Sequence, residues 1–226
     1  MTGLKTRIGR IATTLLLALT LGPAQATLLD ITPDAPLLRF GSLLNQGADY
    51  DAASGRLSIS GDPQALQFVL PGPFTGISGP RSLSMDFFVD SSGIVTGGIA
   101  GNDFELFGEI DSDSDGSPDY SGLLLAGEIR GFGSRNLTAT VDVMDFLFEV
   151  SGGSLAGLFR GFDIGVAMTL ENSSFTGSFA RDFTSTRVKG RIGTAPIPPS
   201  QIPEPGTAWL LGLALLSTLP VLRRRV

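Results

Sequence analysis

The sequence predicts an all-β protein, an antiparallel β-sandwich or barrel-like ectodomain that lies between two apolar chain ends. Short runs of β-branched residues and phenylalanine recur between glycines and serines, and no central stretch keeps a 3.6-residue apolar period. The segment from Leu83 to Asp90 alternates between apolar and polar residues, and its apolar members share one face: Leu83, Met85, Phe87 and Val89. Such alternation is typical of a strand with one buried side.

Turn signals recur about every ten residues and divide the central region into roughly ten to twelve strands. The signals are Ala53-Ser-Gly55, Gly61-Asp-Pro63, Ser91-Ser-Gly93 and Gly152-Gly153. A further strand is predicted from Leu137 to Val143, with Thr138, Thr140 and Asp142 turned outward. After it, one face of another segment is expected to carry Phe175, Gly177, Phe179 and Phe183.

The N-terminal end has the organisation of a secretory signal peptide. Lys5, Arg7 and Arg10 form a basic region, and the apolar run 11–21 follows it. Ala24-Gln-Ala26 then fits a small-x-small cleavage site. Residues 1–26 are therefore expected to form a signal helix that is removed, which leaves Thr27 as the first mature residue.

The C-terminal end combines a Pro-Glu-Pro motif, an uncharged apolar stretch and three arginines. Residues 207–222 are 16 residues without a charge, which as a helix span about 24 Å. A bilayer core is about 30 Å thick, so these residues predict a short transmembrane helix. Trp209 would lie near one interface, and the arginines would hold the other end on the cytoplasmic side. The alternatives are an uncleaved anchor and a buried hydrophobic hairpin.

The order of these features resembles the PEP-CTERM sorting signal of exported Gram-negative bacterial proteins. The residues that carry the resemblance are Pro203, Glu204 and Pro205, followed after the apolar stretch by Arg223, Arg224 and Arg225. The resemblance implies recognition and cleavage by a membrane-embedded exosortase. It also implies export, an inner-membrane anchor before processing, and a final place at the cell surface, outer membrane or extracellular matrix. What is inferred for that group links it to exopolysaccharide and biofilm formation.

The resulting division has four parts: the signal peptide at 1–26, a β-rich ectodomain at 27–194, a Pro-rich linker at 195–202 and the sorting signal at 203–226. Residues 27–202 hold 21 acidic and ten basic side chains, a formal net charge of −11. A surface of this sign repels nucleic acid and anionic lipid. It suits an exported protein that stays soluble through self-repulsion, or one that collects divalent cations.

The chain contains no cysteine and no histidine. The lack of cysteine excludes a disulfide-stapled scaffold and thiol nucleophiles. The lack of histidine excludes Ser-His-Asp triads and the usual zinc and copper sites. Most hydrolase mechanisms therefore lack a necessary part, and a non-enzymatic protein is expected.

One acidic segment has the pattern of a calcium loop, Asp111-Ser-Asp-Ser-Asp-Gly-Ser-Pro-Asp119. Carboxylates at positions 1, 3, 5 and 9, with a glycine at 6, resemble the calcium loops of EF-hands, dockerins and thrombospondin type 3 repeats. The predicted ligands are Asp111, Asp113, Asp115 and Asp119, with calcium as the ion. Gly122 occupies position 12, where those families have an acidic ligand, and the flanking segments 103–110 and 123–130 have the pattern of strands. A plain acidic hairpin is the alternative.

A secreted carbohydrate-binding module or carbohydrate-active enzyme is the alternative function. Glu105 and Glu109 lie four apart on one predicted strand face, and Glu128 is expected on a neighbouring strand. Two carboxylates suffice for glycoside hydrolysis. Tyr50 and Tyr120 are the aromatic candidates for sugar contact.

An internal repeat relates residues 121–132 to residues 151–162, with Leu-Ala-Gly and Arg-Gly-Phe at the same spacing. It predicts two equivalent strands with Phe132 and Phe162 in the core. Alternatively, Arg130 and Arg160 would be paired contacts to an acidic sugar or carboxylate.

Overall fold

The computed structural model describes residues 27–43 and 45–196. The predicted signal peptide and its cleavage site, the transmembrane segment and the sorting motif lie outside these residues. The described chain is all-β, with one short 3₁₀ helix at Ala156–Phe159. Its strands are β1 (Asp34–Gly41), β2 (Ala48–Asp51), β3 (Arg56–Gln67), β4 (Thr75–Gly76), β5 (Ser78–Val89), β6 (Val95–Gly98), β7 (Phe104–Ile110), β8 (Tyr120–Thr138), β9 (Val141–Gly152), β10 (Asp163–Ser173) and β11 (Phe183–Ala195).

All strand pairs are antiparallel and belong to one sheet that closes on itself. From β3 the sheet runs through β5, β7, β8, β9 and β10 to β11, so that most neighbours in the sheet are also neighbours along the chain. The gap between β3 and β11 is filled by β1 and β2, each of which pairs with both of those strands. The predicted all-β antiparallel class is confirmed, and its form is a barrel-like closed sheet.

Alternation decides which side chains fill the interior. The predicted face of β5 is buried throughout, with Leu83, Met85, Phe87 and Val89 each at most 1% exposed. Phe87 lies at the centre, and its ring contacts three others at centroid distances of 5.8 to 6.3 Å: Phe132, Phe146 and Phe148. Each such ring pair contributes about 0.5 to 1.5 kcal/mol beyond the burial of its area.

One end of the interior is covered by an aromatic cluster from the segment between β10 and β11. Phe175, Phe179 and Phe183 are buried, and they pack with Tyr50 of β2. Only Phe183 of the three lies on a strand. The predicted single strand face of Phe175, Gly177, Phe179 and Phe183 is wrong, because residues 174–182 form no strand. The shared burial therefore comes from a folded loop and not from strand alternation.

The segment predicted as one strand from Leu137 to Val143 instead contains a hairpin turn. β8 ends at Thr138 and β9 begins at Val141. The turn reverses the chain, so the expected alternation does not continue across it. As a result Leu137 is 48% exposed, and Asp142, predicted to face outward, is completely buried.

The predicted turn at Gly61-Asp-Pro63 is also wrong, because β3 runs through it. Pro63 lies where the register between β1 and β3 shifts, which is the kind of irregularity at which a sheet accepts proline. Asp62 is only 3% exposed there and forms two hydrogen bonds with Arg81, from Nε at 2.7 Å and Nη2 at 3.0 Å. This ion pair ties β3 to β5.

The two copies of the sequence repeat are not structurally equivalent. Residues 121–132 lie within β8, whereas residues 151–162 pass from the end of β9 through the 3₁₀ helix into a turn. Phe132 is 7% exposed and Phe162 is 47% exposed, so the prediction that both lie in the core is wrong. Arg130 forms ion pairs with Glu149 and Asp163 within the domain.

Within residues 27–43 and 45–196, no helix has the length and apolarity needed to cross a bilayer. β11 continues to Ala195, one residue beyond the predicted end of the ectodomain.

Candidate functional site

The acidic segment forms the tip of the hairpin that joins β7 to β8. Ile110 and Tyr120 are paired across the base, and the Asp119 N–H donates a 2.8 Å hydrogen bond to the Ile110 carbonyl. Strands flank the loop on both sides, as predicted, so the helix–loop–helix arrangement of an EF-hand is absent here. Gly116 has a φ of 93°, a left-handed conformation that glycine adopts without strain.

The hairpin brings three of the four predicted ligands together. One carboxylate oxygen from each of Asp111, Asp113 and Asp115 lies within 4.8 Å of the other two. Backbone N–H groups hold these side chains in place: Asp111 accepts hydrogen bonds from Asp115 at 3.2 Å and Gly116 at 2.8 Å. Asp113 also accepts from Asp115, at 3.1 Å. The oxygens converge because the loop curls around its own acidic side chains.

Asp119 is outside this group of three. Its Oδ2 accepts hydrogen bonds from the Ser112 N–H at 2.7 Å and the Ser112 hydroxyl at 2.5 Å. These bonds hold the pKa of Asp119 below its ordinary value, the hydroxyl bond most strongly. Asp119 therefore links the two ends of the loop. Its carboxylate would have to move closer to Asp111, Asp113 and Asp115 before it could bind the same ion.

Three carboxylates this close repel one another, and a divalent cation would remove that repulsion. Hard oxygen ligands suit calcium, which takes six to eight of them. The triad of Asp111, Asp113 and Asp115 carries six carboxylate oxygens. Because Asp113 and Asp115 are exposed, water can reach the remaining coordination positions. The residues therefore fit a hard cation, whose chemical role would be to stiffen the hairpin.

The other predicted site residues are dispersed. Tyr50 is 2% exposed and belongs to the aromatic cluster, so it cannot present a ring to a sugar. Tyr120 is half-buried against Phe68. Glu105 and Glu109 share the outer face of β7, as predicted, and Glu105 accepts a 3.1 Å hydrogen bond from Asn102.

Several buried aspartates have roles that the sequence analysis missed. Asp103 accepts hydrogen bonds from the N–H groups of Ile99 and Ile129, which joins the β6–β7 loop to β8. Asp145 accepts from Leu29 and Ile31 and so fixes the segment before β1 against β9. Asp145 is the one charged residue in the apolar run from Val143 to Phe148, which was the available signal; Asp103 follows Gly101 and Asn102 in a polar stretch that gave none.

No protein-family model, curated protein or solved structure matches this chain.

Proposed function

We propose that this chain is an exported, non-enzymatic cell-surface or extracellular-matrix protein that is sorted through a C-terminal PEP-CTERM signal. The observation that carries the proposal is the order of three features in the tail: Pro203-Glu-Pro205, the uncharged stretch 207–222 and the arginines 223–225. The signal-peptide pattern of residues 1–26 agrees with it, because a sorting signal of this kind acts on exported proteins. Exosortase and the export machinery are the partners that follow.

The central domain supports a structural role. Its interior is filled by large side chains, including Phe87, Phe104, Phe146 and Phe148, each completely buried. A filled closed sheet is a rigid body that presents its outer face and its loops. The chain also lacks histidine and cysteine, the side chains on which most hydrolase mechanisms depend.

Calcium belongs to this proposal as a structural ion. The converging carboxylates of Asp111, Asp113 and Asp115 support it, since one oxygen from each lies within 4.8 Å of the other two. An ion bound there would stiffen the most acidic loop of the domain and leave the closed sheet unchanged.

The alternative, a carbohydrate-binding module that recognises the same matrix polysaccharide, has less support. Lectin sites commonly use exposed aromatic rings, and Tyr50 is buried while Tyr120 is partly covered. A carbohydrate-active enzyme would need a pair of carboxylates across a cleft. Glu105 and Glu109 instead lie along a single strand.

The mature C-terminus tests the proposal directly. Protein recovered from its native host and analysed by mass spectrometry should end between Pro203 and Gly206. Replacing Pro203, Glu204 and Pro205 with alanine should abolish this cleavage, whereas the matched change Pro198→Ala with Pro199→Ala in the linker should not. Intact chain ending at Val226 in the membrane fraction would show a permanent anchor and overturn the sorting proposal.

A further inference from the structure

A cleft of about 690 Å³ on the outer face of the sheet is lined by four cationic side chains: Arg39, Arg135, Lys189 and Arg191. Its walls come from β1, β3, β8, β9, β10 and β11 together with residues of the N-terminal segment between Leu28 and Thr32. The mature region holds only ten basic residues against 21 acidic ones. Four of those ten therefore converge on one cleft of a strongly acidic protein.

Strand register explains how the cations come together. Arg39 of β1 lies directly opposite Arg191 of β11. Like charges at directly opposed positions of an antiparallel pair destabilise a sheet. A second row of facing residues crosses four strands. Lys189 of β11 faces Thr169 of β10, Thr169 faces Val143 of β9, and Val143 faces Arg135 of β8. The side chains of one row share one face, because facing positions on neighbouring strands point the same way.

The acidic groups around the cleft leave three of the cations without a carboxylate partner. Lys189 forms an ion pair with Glu171. Asp145, which also lines the cleft, accepts hydrogen bonds from Leu29 and Ile31. Asp30 on the N-terminal wall is the other acidic group facing the cleft. Among the described residues, no ion pair within 4.0 Å neutralises the remaining three: Arg39, Arg135 and Arg191.

Arg39 is also held in position. Its guanidinium carbon lies 3.8 Å from the centre of the Phe74 ring, a stacked cation–π contact. A ring over one flat face of a guanidinium leaves its N–H edges free. Those edges match the two oxygens of a carboxylate, phosphate or sulfate.

We propose that this cleft is a binding site for an oxyanion ligand, with Arg39, Arg135 and Arg191 as the contacting residues. A volume of this size accommodates a molecule larger than a single inorganic ion. The shared chemistry is a planar or tetrahedral oxyanion, and its source is a carboxylate-bearing sugar chain or a free phosphate or sulfate. The proposal does not depend on how the C-terminal tail is sorted.

Isothermal titration of the full-length chain in a non-ionic detergent at low salt tests the site. The probes are inorganic phosphate, sulfate and a tetramer of galacturonic acid. The double change Arg39→Gln with Arg191→Gln should weaken binding about tenfold or more, because two charge-assisted contacts are lost. Phe74→Leu, which removes the ring face and keeps an apolar side chain, should weaken binding to a smaller degree.

The matched control is Arg160→Gln with Arg181→Gln, which removes the same charge from two exposed arginines outside the cleft. It should leave affinity within about twofold of the parent chain, since only screened long-range attraction is lost. Tighter binding of the tetramer than of phosphate identifies a carboxylate chain as the ligand, and the reverse order identifies a free oxyanion.

The folded state of the double variant is checked by its melting temperature, which should stay close to that of the parent chain because relief of the Arg39–Arg191 repulsion offsets loss of the Arg39–Phe74 contact. Failure of all three probes to bind, or equal losses in the cleft and control variants, would overturn the proposal.

Discussion

The phenol of Tyr50 donates a 3.0 Å hydrogen bond to the backbone carbonyl of Phe179, and the two rings meet edge-on at 5.2 Å. This contact joins β2 to the loop that covers one end of the interior. Both partners are at most 3% exposed, so water cannot replace the bond.

Tyr50→Phe should therefore lower the free energy of unfolding by about 1 kcal/mol, since the buried Phe179 carbonyl loses its partner. Chemical denaturation measures the change. Tyr120→Phe is the control, because that residue is only partly buried and its hydroxyl makes no hydrogen bond to another described residue. Equal losses in the two variants would show that the Tyr50 hydroxyl has no special role.

The buried Asp142 should make the free energy of unfolding fall as the pH rises from about 4 towards neutral. Its carboxylate is completely buried, and neither oxygen has a hydrogen-bond partner. Burial raises the pKa of Asp142 above the ordinary 3.8. Between the unfolded and the folded pKa the unfolded chain binds fewer protons, so stability decreases with rising pH.

The variant Asp142→Asn cannot ionise, so its advantage in melting temperature over the parent should grow from about pH 4 to about pH 7. Burial also raises the pKa of Asp163, but that group is common to both proteins and cancels in the comparison. Asp49→Asn at an exposed position is the control. A melting-temperature difference that stays constant with pH would contradict the burial of a titrating Asp142.

The sequence alone was enough to predict features that depend on residues close together along the chain. Alternation from Leu83 to Val89 predicted the buried face of β5, and alternate spacing predicted that Asp111, Asp113 and Asp115 converge, although Asp119, predicted with them, lies outside the group. Both depend on residues close together along one strand or one loop. Backbone geometry alone fixes where such side chains point.

The errors arose where long-range contacts decide the outcome. Gly61-Asp-Pro63 has the composition of a turn, yet pairing with β1 and the Arg81 ion pair keep β3 continuous. The −11 formal charge of residues 27–202 suggested a surface without a basic patch. Several of those carboxylates are buried, such as Asp103, while arginines from different strands meet in one cleft. Only the closed topology brings those arginines together.

Gly133→Ala should release the N-terminal segment from the sheet. A Cβ at this position would lie 2.4 Å from the Thr27 carbonyl oxygen and 2.5 Å from Asp145 Oδ1. The backbone must move away, which removes the hydrogen bonds that Asp145 accepts from Leu29 and Ile31. We expect faster amide exchange at those two residues and a loss of about 1 to 3 kcal/mol in unfolding free energy.

Gly131→Ala is the matched control for this change, two residues away on the same strand. Its Cβ would meet only the end of the Leu29 side chain at 3.1 Å and the Leu147 Cβ at 3.8 Å. Unchanged exchange at Leu29 and Ile31 in Gly133→Ala would show that the segment does not depend on this close approach.

Calcium should raise the melting temperature of the full-length chain in detergent, and a chelator should reverse the effect. At a calcium concentration 100 times the dissociation constant the gain is about 2.7 kcal/mol, or roughly 5 to 10 °C for a chain of this size. Asp113→Asn should abolish the response, because it removes one carboxylate of the converging triad. Asp119→Asn should leave the response intact, since its amide oxygen can still accept the hydrogen bonds from Ser112. Loss of the response in Asp119→Asn as well would make Asp119 a fourth ligand, and a melting temperature insensitive to both calcium and chelator would remove calcium from the proposal.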